Sequence, residues 1–584
     1  MNLRRGAATA LLALGVSVAF WWPAFRRPEA SGWGDWQWFH HLWEAGRVAL
    51  VRWGEAPLWN PHHCGGVSLW GNPQWQLASP TYWFFGLPFG TNVGHKLFVL
   101  WHTVVGWLGT YALARREFHT SRAAALFAAT AFCTSGFFAW HGAGGHATFL
   151  AFYYGPLLLL CWRRAARDLR WSAAVAGLLA LMLLEGGHYP FPYWVVWLAL
   201  DALVRLADRR ARVGVLRAAV VSSLLTALLG AIRIVPIALA LRDHPRPTHD
   251  TDALRFAEIV EMLTAREHAY VWPGHRWVWP EYGAYVGWMP LVAGAAGALV
   301  AAARLLRPSV GGPARTGLAF LLVGGLLALG LTQGRASPLH PWPLLHELPF
   351  YGSLHVPSRW RVMLLLHLVL LAALALDATH RLLAGSGSRR RRRLRRWTAS
   401  LTWAAALVTC VDIYLVTRPI VDRWNGPPVG VGPVAPRHHL VEAVRYLDEY
   451  ANYPHRNVGT PTCYDPLPWP VAPGLWLGDV PQARLSPPDA GRVEDWGRTS
   501  LTVWARARLE RPATVVFNQN HARGWHSEQG RVVADEGRLA VVVPHGGSMR
   551  VEARYRPEEL PYTVGLFALG IAGCLVVARR RPRR

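Results

Sequence analysis

The sequence predicts a mainly α-helical protein, a polytopic membrane helix bundle of about twelve spans. It also predicts a long outer first loop and a small β-rich domain outside the membrane, before the last span. The 584 residues are 52% hydrophobic and only 16% charged, too apolar for an ordinary soluble multidomain protein. The mean hydropathy of +0.15 still excludes apolar helices from end to end, so we expect a polar domain. Apolar runs of bilayer-spanning length also alternate with arginine clusters.

The first apolar run covers residues 7–22 and follows a short basic flank, Met1–Arg5. No small-x-small cleavage site follows it, so we expect an uncleaved span with its N-terminus in the cytoplasm rather than a signal peptide. Further apolar runs of the length a bilayer requires begin near His95, Arg122, Ala147, Trp171, Tyr193, Leu216, Ala284, Thr316, Arg359, Trp397 and Pro561.

The positively charged residues lie at the boundaries of these apolar runs. The formal net charge is +26, and almost all of it is arginine because Lys96 is the only lysine. The arginines cluster at every second boundary, which is typical of cytoplasmic loops and predicts that both termini lie in the cytoplasm. This distribution argues against nucleic acid as a partner. The run Ser388–Trp397 (SRRRRRLRRW) is interpreted as an anchor that meets anionic membrane lipids.

The chain therefore divides into three parts. Residues 1–417 form the transmembrane bundle, with a first outer loop at 26–94. Residues 418–560 form the outer domain, and residues 561–584 the last span and a basic tail. The outer domain has one helical stretch near His439–Tyr450, followed by segments with the period-2 pattern of a small antiparallel sheet or sandwich: LTVWARARLE, ATVVFNQN, RLAVVVPH and SMRVEARY. Its expected role is structural or acceptor-binding.

The first outer loop places Asp35 among tryptophans and histidines. A helix from about Asp35 to Val51 would lie on the membrane surface, with Glu44 pointing away from the face that holds Trp38, Phe39, Leu42, Trp43 and Gly46. Asp35 would begin this helix on the buried side. Two interpretations stay open for it: a catalytic or substrate-binding carboxylate, or an N-cap that accepts a backbone N–H. The two roles can coexist.

The loop continues as PLWNPHHCGGVSLWGNPQWQ, which is rich in the residue types that hold sugar hydroxyls and sugar faces. The candidates for sugar binding are Asn60, His62, Asn72 and Gln74. A metal site is disfavoured because no carboxylate lies at ligand spacing from the histidines. Of the six cysteines only Cys64 and Cys463 could meet outside the membrane, and the sequence favours unpaired thiols over a disulfide between them.

Other candidates lie at the outer ends of spans, where ionisable groups are costly and often functional. They are His146, Glu185, His188 and Glu281. Arg359 and Arg361 begin a span from the outer side, where a cation could pair with a lipid phosphate or extend to the headgroups. Two residues apart on a helix they diverge, so only one of them can face a given site.

Several motifs in shared order resemble the YfhO-like family of bacterial membrane proteins, which is grouped with GT-C-fold glycosyltransferases. They are GD…GEAPLWNPHHCGGVSLWGNPQ, GGHAT, EGGHYPFPYW, EYGAYVGWMPL, LPFYGSLHVPSRWRVM and FNQNHARGWHSEQG. The resemblance implies a GT-C-like bundle in the bacterial cytoplasmic membrane, a polyprenyl-phosphate-linked sugar donor and transfer on the outer face. Asp35 matches the family's acidic position. Trp36 follows it where many GT-C enzymes have a second acid, so a partner acid must be Glu281 or Glu185, or be absent.

The resulting hypothesis is an inverting glycosyltransferase that moves a sugar to an envelope polymer, glycan or lipid acceptor. Asp35 would act as general base or orienting carboxylate, and Arg359 would stabilise the departing phosphate. No cofactor beyond the lipid-linked donor is expected. Two other classes stay open: a transporter or lipid flippase, for which Arg233 and Pro236 are the mid-span signals, and a non-catalytic assembly protein for envelope polysaccharide.

Overall fold

The computed structural model describes residues 3–246, 248, 252–307, 310–383, 389–443 and 449–580. The chain is mainly helical, as predicted. The helices are α1 (Leu3–Phe25), α2 (Trp36–Trp53), α3 (Leu87–Arg116), α4 (Arg122–Cys133), α5 (Gly136–Gly144), α6 (Gly155–Ala165), α7 (Trp171–Leu184), α8 (Pro190–Leu206), α9 (Arg212–Asp243), α10 (Phe256–Thr264), α11 (Trp288–Leu305), α12 (Gly312–Thr332), α13 (Pro341–His346), α14 (Arg361–Leu383), α15 (Arg389–Val421), α16 (Tyr453–Arg456) and α17 (Leu560–Arg579).

Nine helical segments of the described chain are long and apolar enough to cross a membrane, which makes this a multi-pass membrane protein. They are Gly6–Phe25, Tyr82–Arg116, Arg122–Gly144, Arg212–Asp243, Trp288–Leu305, Gly312–Thr332, Pro357–Thr379, Trp403–Val421 and Leu560–Arg579. The other three predicted spans are also helical but shorter. One is the 3-10 turn Ala147–Tyr154 continued by α6, and the others are α7 with 14 residues and α8 with 17.

Small residues bring the long helices together. A Cβ on Gly297 of α11 would lie 1.9 Å from the carbonyl oxygen of Leu371 in α14. A Cβ on Gly570 of α17 would lie 2.8 Å from the backbone nitrogen of Leu229 in α9. Glycine is needed at both contacts because membrane helices pack through close backbone approach.

The first outer loop contains the predicted helix, α2, which ends at Gly54 in the left-handed conformation. Its polar face is not exposed, because other parts of the chain cover it. The ring of His41 stacks on Tyr450 of the outer domain at 4.6 Å between centroids. Glu44 is buried between Arg47 and the hydroxyl of Thr91, which donates to it at 2.6 Å. The predicted surface helix is therefore enclosed on both faces.

The outer domain is the predicted antiparallel sandwich. Its two sheets have the strand orders β10-β11-β8-β5 and β6-β7-β12-β9. In the part of the chain that the structure describes, the first loop has the strands β1 (Trp59–Asn60) and β2 (Val67–Ser68). The outer domain has β3 (His439–Leu440), β4 (Val458–Gly459), β5 (Ala483–Ser486), β6 (Gly491–Arg498), β7 (Thr502–Leu509), β8 (Ala513–Asn520), β9 (Trp525–His526), β10 (Arg531–Asp535), β11 (Arg538–Val543) and β12 (Gly547–Tyr555). The predicted helix near His439–Tyr450 begins instead with β3, and residues 444–448 within it lie outside the described residues.

The outer domain is joined to the first loop covalently. Cys64 and Cys463 form a disulfide, so the expectation of unpaired thiols was wrong. The contact depends on a turn at Gly65 and Gly66, both with positive φ, which turns the loop back against the end of β8. There Asn520 donates to the carbonyl oxygens of Cys64 at 2.6 Å and Gly66 at 3.0 Å. Because 399 residues separate the two cysteines, no local sequence pattern could predict this pairing.

Candidate active site

A polar cavity of about 310 Å³ lies between the bundle, the first loop and the outer domain. Five of the residues predicted from the sequence line it, although they come from four separate parts of the chain: Asp35, Gln74, His146, His188 and Arg359. The cavity is walled on its outer side by Cys463, Tyr464, Asp465 and Pro466. The segment beside the disulfide is therefore part of the site.

Asp35 reaches the cavity because the GAGG motif (residues 142–145) has no side chain beyond that of Ala143, so the start of α2 packs directly against its backbone. A Cβ on Gly145 would lie 2.0 Å from the backbone nitrogen of Trp36, and the Asp35 N–H donates to the carbonyl of Gly144 at 3.1 Å. The Asp35 side chain makes no capping hydrogen bond to α2. Its Oδ1 instead accepts the hydroxyl proton of Tyr464, and its Oδ2 lies 3.4 Å from His146 Nε2. The carboxylate is thus directed to the cavity rather than used as a helix cap.

The tautomers of two histidines follow from their neighbours. The Arg361 guanidinium can only donate, and it contacts His141 Nε2 at 2.9 Å, so the proton of neutral His141 is on Nδ1. That proton is donated to His146 Nδ1, 2.5 Å away. Neutral His146 then carries its own proton on Nε2, which faces Asp35. This chain of hydrogen bonds ends with an N–H that is directed at Asp35 Oδ2.

Glu281 and Arg359 form a buried ion pair beside this chain. Arg359 donates to Glu281 Oε2 at 2.9 Å and to Oε1 at 2.5 Å. Its guanidinium also lies over the rings of Phe149 and Tyr189. As the two-residue spacing predicts, Arg359 faces the cavity, whereas Arg361 turns to His141 and to backbone carbonyls.

Replacing Glu281 with glutamine is expected to lower the free energy of unfolding by about 3–5 kcal/mol, because it leaves the Arg359 charge buried without a counterion. Burial raises the pKa of Glu281, but the charge and hydrogen bonds of Arg359, together with His146 and Arg361, outweigh it and lower that pKa to about 2. The contribution of Glu281 is therefore full above its ordinary value of 4.5 and is lost as the pH falls towards 2. The measurement is unfolding of purified protein in detergent at several pH values.

The control for this prediction is Glu528→Gln, which removes an exposed carboxylate of the outer domain. It should change stability by about 0.5 kcal/mol at most, as surface substitutions usually do. If the loss of unfolding free energy caused by Glu281→Gln is the same at pH 5 and at pH 2.5, the assignment of a low pKa to Glu281 is contradicted.

Two further imidazoles on the cavity wall are neutral at physiological pH. Burial lowers the pKa of His188 to about 3, against a backbone hydrogen bond to Gly186 that raises it. Burial and the Arg359 charge lower the pKa of His355 to about 2. Nδ1 of neutral His188 donates to the carbonyl of Gly186, so its Nε2 can accept a hydrogen bond from a sugar hydroxyl. Nδ1 of His355 contacts the Tyr189 hydroxyl at 3.0 Å, so its Nε2 is the atom that can bond a sugar hydroxyl.

An apolar cavity of about 310 Å³ adjoins the polar one. The two share His188, Arg246 and Pro466. The apolar walls come from α7, α8, α9 and the segment 350–354, and include Leu183, Phe191, Val195, Ile234, Ile237 and Leu241. Arg246 has no carboxylate within 4 Å among the residues that the structure describes, so its charge is available at the junction.

Five of the predicted site residues do not line the cavity. Asn72 donates to Asp465 Oδ2 at 2.6 Å, which supports the cavity wall from behind. Asn60 contacts His41 Nε2 at 2.9 Å within the first loop, and His62 contacts the carbonyl of Val458 in the outer domain at 2.7 Å. Glu185 is enclosed in a separate network and contacts His102 Nε2 at 2.8 Å. Glu281, the fifth, lies just behind the lining.

The question of a partner acid for Asp35 has a geometric answer. Glu281 Oε1 lies 3.9 Å from His146 Nε2, so a single histidine separates the two carboxylates. Glu185 accepts hydrogen bonds from Thr81 and Tyr154 inside the bundle and has no comparable contact with Asp35. Of the two predicted partners, Glu281 is the one that the fold brings near.

The sequence did not point to several polar residues at or beside this site, among them Tyr464, Asp465, Arg246, His355 and His141. Arg246 lies in the loop after α9, which the charge pattern predicts to be outside the membrane. This position is a signal that could have identified Arg246 as a site candidate. Tyr464 carried no such signal because it lies in the outer domain, 429 residues from Asp35.

One cluster among the described residues could hold a metal ion. Ligand atoms of His141, His146 and Glu281 all lie within 4.8 Å of one another. However, Arg359 already donates to both Glu281 oxygens, and Arg361 donates to His141. A divalent cation would have to lie beside two guanidinium groups, which is electrostatically unfavourable.

The fold and the cavity define a multi-pass membrane protein with a polar site between its helix bundle, its first loop and its β-sandwich. No protein-family model and no curated protein matches the chain. Among solved structures it is similar to the oligosaccharyltransferase of Archaeoglobus fulgidus, with 14% identity, a TM-score of 0.43, and coverage of 72% of this chain and 56% of that one. It is similar to the arabinofuranosyltransferase AftD from Mycobacteria, with 13% identity, a TM-score of 0.48, and coverage of 96% and 40%.

A third similar structure is the arabinosyltransferase EmbB from Mycobacterium smegmatis, with 13% identity, a TM-score of 0.30, and coverage of 94% of this chain and 61% of that one. The chain thus spans about half of the length of the solved structures that it matches.

Proposed function

We propose that this protein transfers a sugar from a polyprenyl-phosphate-linked donor to a glycan or lipid acceptor of the bacterial envelope, on the outer face of the cytoplasmic membrane. The observation that carries the proposal is the junction of the two cavities at His188 and Arg246. One side is apolar and suits a prenyl chain. The other is polar and contains Asp35. A lipid-linked sugar has these two parts in the same order, joined by a phosphate.

In this proposal Arg246 binds the donor phosphate. It lies at the junction and has no carboxylate within 4 Å in the described part of the chain. Arg359, the cation expected from the sequence, is already bound by both oxygens of Glu281, so much of its charge is neutralised. Arg359 therefore supports the phosphate site from a second position, and Arg246 supplies a charge that no carboxylate of the described residues neutralises.

The proposed reaction is a single displacement with inversion. The acceptor hydroxyl oxygen attacks the anomeric carbon, and the bond from that carbon to the phosphate oxygen breaks. The electron pair stays on the departing phosphate, where guanidinium groups stabilise it. Asp35 takes the hydroxyl proton, while Tyr464 and His146 hold its two oxygens in place.

The sugar would lie against polar and aromatic groups of the cavity. Trp38 donates to Gln74 Oε1 at 2.7 Å, so the NH₂ end of that amide is the one available to a ligand. His188 and His355 are neutral and can each hydrogen-bond a hydroxyl. No resident cofactor or metal takes part in the proposed reaction.

The transporter hypothesis has less support. Its mid-span signal was Arg233, which is buried in α9 and donates to the backbone carbonyls of Trp70 at 2.7 Å and Asn72 at 2.5 Å. It also lies over the ring of Trp75. These contacts attach the first outer loop to α9, and α9 continues as a helix through Pro236. We therefore interpret Arg233 as a structural anchor.

Replacing Arg246 with glutamine should lower kcat/KM for a polyprenyl-phosphate sugar by roughly 10- to 100-fold. The expectation rests on the 1.5–3 kcal/mol typical of a hydrogen bond to a charged group. The measurement is transfer of labelled sugar by the full chain in liposomes. Arg423→Gln is the matched control, because Arg423 is exposed on the outer side and lines neither cavity. Equal rates for the two variants would contradict the phosphate assignment.

A further inference from the structure

A third cavity lies at the arginine-rich end of the bundle, where α9 begins. Its volume is about 720 Å³, and it is formed by the α6–α7 connection, the first turns of α9 and the end of α17. Leu216 on its wall and Ile237 on the wall of the apolar cavity are 21 residues apart in α9, which is about 30 Å along a helix. The cavity is therefore separate from the candidate active site.

Four arginines line this cavity, and they differ in their partners. Arg167 donates to both oxygens of Glu117 at 2.7 and 2.8 Å. Arg170 donates to Asp168, with the shortest contact at 2.7 Å. Arg217 and Arg580 have no carboxylate within 4 Å among the described residues, and both are exposed. The ion pairs neutralise two of the four charges, whereas Arg217 and Arg580 have no counterion in the part of the chain that the structure describes.

An apolar face leads away from this cavity along α9. Leu216 and Val220 belong to the cavity wall, and Leu224 continues the same face at a spacing of four residues. The three side chains are 53%, 67% and 60% exposed. A cationic cavity that opens onto an apolar helix face matches a molecule with an anionic head and a hydrocarbon chain. Its volume is also larger than a single phosphate ion requires.

The cavity is built on close backbone packing. A Cβ on Gly214 would lie 2.1 Å from the carbonyl oxygen of Ala166, so the start of α9 is pressed against the end of α6. Gly570 and Gly573 of α17 pack on Leu229 and Leu225 of α9. These contacts hold Arg217 and Arg580, from two different helices, at one opening.

We propose that this cavity binds the phosphate headgroup of an anionic phospholipid, with an acyl chain along Leu216, Val220 and Leu224. Arg217 and Arg580 bind the phosphate, and Arg167 and Arg170 shape the opening while their own charges are neutralised. Basic pockets between membrane helices are known to bind such headgroups. The proposal does not depend on the proposed sugar transfer.

The bound lipid would stabilise α9 against α17. This matters for the other end of α9, where Arg233 attaches the first outer loop and Ile237 lines the apolar cavity. A lipid that holds the inner end of α9 in place therefore supports the geometry of the candidate active site from a distance.

The test compares thermal unfolding of the purified full chain in three conditions: phosphatidylcholine vesicles, the same vesicles with cardiolipin, and phosphatidylcholine vesicles with inorganic phosphate. We expect the unfolding midpoint to rise by several degrees with cardiolipin and to stay unchanged with inorganic phosphate. The double variant Arg217→Gln, Arg580→Gln should weaken cardiolipin binding at least about tenfold, because both unpaired charges are lost.

The matched control is the double variant Arg209→Gln, Arg210→Gln, which removes the same charge at the same end of the bundle but outside the cavity. Wild-type binding by this control supports a specific site. Equal losses in both double variants would show that only the overall surface charge matters and would overturn the proposal. A midpoint that rises equally with inorganic phosphate would overturn it in favour of a free-anion site.

Discussion

Replacing Asp35 with asparagine is expected to lower the rate of sugar transfer by about 10²- to 10⁴-fold, the contribution typical of a positioned general base. Asparagine keeps the size of the side chain and can still accept the Tyr464 proton. It cannot accept the proton of the attacking hydroxyl. Its NH₂ group would also face the proton on His146 Nε2, where the carboxylate oxygen now lies at 3.4 Å. The measurement is transfer of labelled sugar from a polyprenyl-phosphate donor in liposomes.

Two controls separate chemistry from folding in this experiment. The Asp35 side chain makes no capping bond and is 31% exposed, so the unfolding midpoint and the donor KM should stay near wild type. Asp422→Asn removes another outer carboxylate, one in an exposed ion pair with Arg26, and should keep its activity. Full transfer by Asp35→Asn would contradict the catalytic role and favour a non-catalytic assembly protein.

Removing the Cys64–Cys463 disulfide is expected to reduce both stability and transfer. A native disulfide typically contributes about 2–4 kcal/mol to the free energy of unfolding. Here the bond also joins the segment that contains Tyr464 to the first loop, and the hydroxyl of Tyr464 binds Asp35. Loss of the bond frees the outer wall of the cavity to move away from Asp35. The double variant Cys64→Ala, Cys463→Ala should therefore unfold at a lower temperature and transfer sugar more slowly.

Reduction of the wild-type protein should reproduce this result and should have no further effect on the double variant. Cys574→Ala is the matched control, because Cys574 is unpaired and lies in α17 away from the cavity. Tyr464→Phe separates the two effects, since it keeps the disulfide and removes only the hydroxyl that binds Asp35. Unchanged stability and transfer after full reduction would contradict a supporting role for the bond.

Much of the fold could be predicted because its signals are local. Apolar length and arginine clusters identify membrane helices, since a bilayer requires about twenty apolar residues. Period-2 alternation identified β7, β8, β11 and β12, which are four of the eight strands in the two sheets of the sandwich. It did not identify β5, β6, β9 and β10. The helical phase of α2 separated Asp35 from Glu44, and Glu44 is indeed bound elsewhere, by Arg47 and Thr91.

The candidate site was less predictable because residue type does not show which residues lie close together in the folded protein. Asn60, His62 and Glu185 have the chemistry of sugar-binding groups, yet each is engaged by a neighbour outside the cavity. The position of Arg359 at the end of a span predicts that it binds the phosphate. The charge of Arg359 is shared with Glu281, a residue 78 positions away, and this could not be inferred from spacing.

The sequence by itself determined that this is a multi-pass membrane protein with an aromatic first loop around Asp35 and a β-rich region before the last helix. These properties follow from hydropathy, charge and periodicity, which are patterns of short segments of the sequence. Only the tertiary structure decided that the outer domain is part of the site. Tyr464 approaches Asp35 because a disulfide and the Asn520 hydrogen bonds close a loop of about 400 residues. Such contacts depend on where distant segments pack, and no local pattern records that.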